Sequence, residues 1–119
     1  MQGALMLLLC MLTGTNAMAA PDSPMDWPPL TSRFESTGGG GWMIEGYDPV
    51  IAGMRCVTDF AAVAPDGQVF RNEVEFDAVA VTGGVLCENG RWRAKDGSSS
   101  GTTPLRVLIR DDGRRFRSP

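Results

Sequence analysis

The feature that most constrains this chain is a series of tight-turn signals set between short apolar runs. Pro65-Asp66-Gly67, Thr82-Gly83-Gly84, Asn89-Gly90 and Asp112-Gly113 cut its second half into segments of strand length. Proline fixes φ in such turns and glycine takes the positive φ that other residues resist. Asn-Gly between apolar runs is the strongest short hairpin signal. Between the turns, β-branched and aromatic residues cluster, and no segment shows a helical period.

The run 69–81 makes the strand reading concrete. Phe70, Val74, Phe76 and Ala78 fall on one face, with Asn72 the sole polar member. Arg71, Glu73, Glu75 and Asp77 fall on the other. Such alternation describes an antiparallel strand with one face buried and one in water. Further strands are expected at 54–64, 85–88, 91–94, 105–111 and 114–117, with a seventh around 42–44. The fold class is therefore all-β, a small antiparallel barrel or sandwich of six to seven short strands. The expected core is Trp42, Met54, Phe60, Phe70, Val74, Phe76, Leu86, Trp92, Leu105 or Val107, and Ile109. Residues 96–103, DGSSSGTT, read as a flexible loop.

The start of the chain reads as an export signal. Residues 4–12 are an apolar run, and Ala17-Met18-Ala19 supplies the small residues that a signal peptidase accepts, placing cleavage near Ala19. The run is too short for a bilayer, so an integral membrane protein is not expected. No Lys or Arg stands before Asp22, where such signals usually carry one. Removing residues 1–19 removes Cys10 and leaves Cys56 and Cys87, an even pair in an exported chain. A single disulfide follows. On the chain-entropy model a loop of that length contributes about 3–4 kcal/mol.

Residues 20–41 read as a flexible Pro/Gly-rich segment. Four of the eight prolines lie between Pro21 and Pro29, and Gly38 to Gly41 is unbroken glycine. Trp27, Leu30 and Phe34 give this segment the means to dock onto the folded part, residues 42–117.

Charge is sorted along the chain. Residues 21–90 carry eleven acidic and three basic side chains, whereas residues 91–119 carry eight basic and three acidic. One reading pairs the halves across the sheet, with Glu73, Glu75 and Asp77 opposite Arg91 and Arg93. The other makes Arg110, Arg114, Arg115 and Arg117 a basic rim for an anionic glycan or lipid of the cell envelope. Nucleic acid is not an expected partner, because the net charge is −3 and the aromatics sit at core positions, not among the arginines.

The chain contains no histidine, which excludes imidazole metal ligands and histidine-based triads. Two cysteines alone cannot fill a zinc site. The serines of 96–103 lack a nucleophile elbow and a phosphate-loop lysine. No catalytic residue, metal or cofactor is expected. Trp42 and Tyr47, beside the glycine run, are the candidates for an exposed aromatic contact.

The layout over residues 36–119 resembles that of the small periplasmic inhibitors of secreted metalloproteases. Gly41-Trp42, Cys56, Cys87, Trp92 and Asp112-Gly113 follow in a similar order. Here Gly41 and Trp42 are adjacent, not spaced by one residue, and Trp92 stands closer to Cys87 than in that layout. The resemblance implies a tail-insertion inhibitor, with residues 20–35 lying in a protease cleft. The expectation carried forward is a small exported, non-enzymatic module that binds an envelope or secreted protein, with anionic glycan or lipid as the alternative partner.

Overall fold

The computed structural model describes residues 26–119 apart from Thr37. The expected export signal, residues 1–19, and residues 20–25 lie outside the described residues. Among the described residues nine strands form: β1 (Arg33–Glu35), β2 (Met43–Glu45), β3 (Val50–Ala52), β4 (Arg55–Val63), β5 (Val69–Val81), β6 (Gly84–Ala94), β7 (Ser100–Thr103), β8 (Val107–Arg110) and β9 (Arg115–Arg117). They make one antiparallel sheet in the order β1-β2-β4-β5-β6-β8-β9, with β3 added on β4 and β7 on β6. The fold is all-β, a curled half-barrel.

The disulfide reports how strongly the sheet curls. Cys56 lies on β4 and Cys87 on β6, with β5 between them. In a flat sheet, strands two apart sit about 9.5 Å from each other. The two Cα atoms are only 5.9 Å apart, so the sheet folds inward around β5 and the bond closes its concave side. Both cysteines are fully buried there, beside Phe76 and Val107. The expected link between the first and third long strands is present.

The N-terminal segment joins the two edges of the sheet. Leu30 donates its N–H to the Arg115 carbonyl at 2.9 Å, and Arg117 donates to the Pro28 carbonyl at 3.0 Å. Residues 28–30 thus run antiparallel beside β9, and the chain then crosses to become β1 at the other edge. Trp27 is buried with the Arg106 guanidinium 4.9 Å from its ring, and Phe34 is buried beneath Arg117 in the same way. The span 27–35, expected to be flexible apart from docking, is built into the barrel. The glycine run is the β1–β2 loop. Gly39, Gly40 and Gly41 all have φ near +80°, a conformation that side chains resist, so the run serves geometry.

Three hairpins share one turn. Pro65-Asp66-Gly67, Lys95-Asp96-Gly97 and Asp111-Asp112-Gly113 each place glycine at positive φ. In each, the glycine N–H donates three residues back, to Ala64, Ala94 or Arg110. In each, the aspartate Oδ1 accepts the N–H two residues on, from Gln68, Ser98 or Arg114. This is a type I turn followed by a left-handed residue.

Several expectations need correction. Asn89-Gly90 does not turn the chain. It lies inside β6, where one extra residue stands between the pairs Glu75↔Arg91 and Asp77↔Glu88. That is a bulge, with Asn89 at φ 57° as the left-handed residue. Gly90 is needed for a different reason: a Cβ there would come within 2.8 Å of the Phe76 ring and 2.6 Å of Thr103. The stretch 96–103 is not a loop throughout, since Ser100–Thr103 pairs with β6 as β7. The core is also displaced from its expected set. Met54 is 84% exposed because Gly53-Met54 forms the β3–β4 turn. Trp42 and Phe70 are exposed at 37% and 40%. Val74, Phe76, Leu105, Val107 and Ile109 are buried as expected, and Phe60 and Trp92 pack partly buried against them. Trp27, Phe34 and Tyr47 join the buried set.

Candidate functional site

The inward faces of the strands leave an apolar cavity of about 290 Å³ in the concavity of the half-barrel. Its walls include Phe34, Ile44, Phe60, Ala62, Val74, Trp92 and Leu105, with Tyr47 and Asn72 among them. Alternation on β5 aims Asn72 inward beside Val74, and antiparallel pairing sets Val74 opposite Trp92. Trp92 can lie flat there because Gly101 faces it on β7. A Cβ at 101 would sit 3.0 Å from the indole nitrogen.

Ser36, Tyr47, Asn72, Thr102 and Thr103 are the polar residues of this wall, and of these Asn72 and Tyr47 are buried. Asn72 is only 6% exposed, and its Nδ2 donates to the Phe70 carbonyl at 3.1 Å. Tyr47 is 4% exposed, its ring 5.5 Å from Phe34 and 5.3 Å from Phe60. Burial raises the Tyr47 phenol well above its ordinary range, so the hydroxyl stays protonated. This corrects the reading of Tyr47 as an exposed contact: it follows β2, and its ring packs in the core among Phe34, Phe60 and Phe76.

The outer face carries the charge sorted along the sequence. Glu73 pairs with Arg93, and Glu75 with Arg55. Asp77 lies 3.2 Å from Arg91, while Lys95 reaches Asp59 at 3.1 Å and Glu73 at 3.5 Å. The Arg93 guanidinium, hydrogen-bonded to Glu73, lowers that carboxyl. The Asn89 amide, with Arg91 behind it, lowers Asp77. The hydrogen bond to Asp59 raises Lys95. The acidic row is therefore matched by bases from both neighbouring strands. Among the described residues, no group of three or more His, Cys, Asp or Glu is placed to hold a metal ion.

The four C-terminal arginines do not form one rim. Arg114 pairs with Asp112 in its own turn at 2.8 Å. Arg115 lies 3.5 Å from Asp48 and donates to the Pro49 carbonyl at 3.3 Å. Arg117 stacks 4.9 Å over Phe34, and its buried Nε has no hydrogen-bond partner among the described residues. Arg110 ends β8 half-buried. These side chains close the barrel as much as they face solvent.

Trp42 and Phe70 meet at one rim of the barrel, with ring centroids 5.6 Å apart. Val69, half exposed, stands beside them. Together they line one side of an open groove whose other side is the 95–99 turn. The sequence marks Trp42 as a contact candidate but places Phe70 in the core, because the alternation of β5 runs past the end of the buried face. Sequence reasoning misses the cavity as a site. Its one signal is Asn72, the polar residue in an apolar alternation.

Among the described residues, no helix is long and apolar enough to cross a membrane. No family model matches the chain, and neither the curated proteins nor the solved structures contain a match.

Proposed function

We propose that this chain is an exported, non-enzymatic binding module that engages an envelope or secreted protein through the Trp42–Phe70 rim. The observation that carries the reading is the ring pair itself. Two large aromatics rest on each other, more than a third exposed, at a disulfide-stapled sheet. Aromatic side chains held on rigid backbone lose little entropy on binding and dominate interface energetics. The buried disulfide and the absence of histidine fit an exported protein without imidazole chemistry.

The sharper form of the proposal is a protease inhibitor. Residues 27–35 are bound into the sheet, so an inhibitory segment of the tail-insertion kind would have to come from upstream of Trp27. An anionic glycan or lipid is served less well, because Arg114, Arg115 and Arg117 already have internal partners. The test is native mass spectrometry of the chain purified from its host without reductant. The proposal expects a population carrying a second polypeptide, lost on Trp42→Ser with Phe70→Ser. A bare chain in both cases sinks it. A partner retained by the double variant moves the interface elsewhere.

A further inference from the structure

We infer that the concave cavity is a binding site for a small, neutral, largely apolar molecule carrying one hydrogen-bonding group. The inference is independent of the aromatic rim, since neither Trp42 nor Phe70 lines this cavity.

Size sets the first limit. About 290 Å³ lies at the lower end of the range for small-molecule sites, enough for two or three rings or a short acyl chain. Charge sets the second. No Asp, Glu, Lys or Arg lines the cavity, so a carboxylate or ammonium would leave water with no counter-charge to receive it. A neutral occupant suffers no such loss.

Polarity sets the third. Buried polar groups nearly always have at least one hydrogen-bond partner, and any capacity left over is open to a ligand. The only hydrogen bond of the Asn72 side chain among the described residues is Nδ2 to the Phe70 carbonyl. Its carbonyl Oδ1 and second N–H retain capacity. Tyr47 is buried beside it, and that burial keeps its hydroxyl a neutral donor. An occupant with one N–H or O–H can donate to the Asn72 carbonyl, and its apolar body covers Phe60, Val74, Trp92 and Leu105.

The probes are N-phenyl-1-naphthylamine, which is neutral with one N–H, and 1-anilinonaphthalene-8-sulfonate, the same frame bearing a sulfonate. The full oxidised chain is titrated with each and followed by fluorescence. Saturable one-to-one binding of the amine, about tenfold tighter than the sulfonate, is expected. Ala62→Leu, which fills the cavity from β4, weakens that binding by about tenfold or more, whereas Trp42→Ser leaves it unchanged. In the unaltered chain, the Asn72 side-chain amide resonances shift during the titration. That last readout decides the matter if Ala62→Leu fails to fold. Overturning results are the absence of saturation, which means water alone fills the cavity, or equal binding of both probes. Loss of binding on Trp42→Ser places the probe on the rim and overturns the inference too.

Discussion

The two walls of this half-barrel are held by different means. The central wall, β4 to β6, consists of long strands joined by tight turns and crossed by a disulfide. The closing wall consists of β1, β2, β8 and β9, none longer than four residues, held together by residues 28–30. Its anchors are single side chains: Trp27 under Arg106, and Phe34 under Arg117. The central wall gains its order from contacts close in sequence. The closing wall brings together residues about ninety positions apart, such as Pro29 and Phe116. Cooperativity between the two walls therefore rests on the seam between β6 and β8.

Removing the disulfide tests the central wall most severely. Cys56→Ser with Cys87→Ser is expected to cost about 3–4 kcal/mol, a large share of the roughly 5–15 kcal/mol typical of a domain. Urea unfolding followed by tryptophan fluorescence measures it. A loss below 1 kcal/mol would show that the curl is held by packing alone.

The seam itself comes next. A Cβ on Gly84 would lie 2.3 Å from the Ile109 carbonyl oxygen, which is backbone and cannot rotate away. Gly84→Ala should therefore part β6 from β8 at a cost of about 1–3 kcal/mol. Two unfolding transitions in place of one would show that the walls had become separate units.

A smaller and more local effect is expected from Trp27→Ala. The amides of Leu30 and Arg117, which bond across the closure, should exchange with solvent about tenfold faster or more. The Phe76 amide, deep in the central wall, should not change. Equal acceleration at all three would erase the contrast between the walls.

The smallest effect is electrostatic. Glu73 and Asp77 have lowered pKa values in the folded state, caused first by the Arg93 and Asn89 hydrogen bonds. A carboxyl lowered on folding adds stability above its unfolded pKa, and that addition fades as pH falls through the folded value. Stability should therefore decline from about pH 4–5 downward. Glu73→Gln should flatten part of that slope in acid titrations at low salt. An unchanged slope would show that the pairing on the outer face has no bearing on stability.

Much of the central wall was legible in the sequence. Alternation along 69–81 gave the strand and both its faces, and the even cysteine count gave the bridge. The charge sorting gave the cross-strand pairs. What stayed hidden depended on partners far along the chain. Asn89-Gly90 and Asp112-Gly113 carry similar local signals, yet only the second makes a turn. At Asn89 the chain makes only a bulge, because β5 pairs on both sides of it and β7 pairs from Gly90 onward, and Gly90 makes room for Phe76. Asp96-Gly97 was a usable signal within a polar stretch that otherwise reads as loop, and with it came β7. Trp42 was read both as core and as a contact candidate, and the structure leaves it 37% exposed. Tyr47 was not legible as buried, because its partners Phe34 and Phe76 lie on strands that pairing alone brings near.

The placement of Cys56 and Cys87 also governs how the molecule responds to backbone cleavage. The turns at 65–67 and 82–83 both fall between the two cysteines. A nick at either one leaves two polypeptides that remain covalently one molecule, still paired along β4, β5 and β6. The turns at 95–98 and 111–113 fall outside that ring, so a nick there leaves the C-terminal piece held by strand pairing alone. Against a protease, the chain stays covalently whole when cut at its longest hairpin and can lose its C-terminal piece when cut at its last, and a reductant frees the fragments of the first cut.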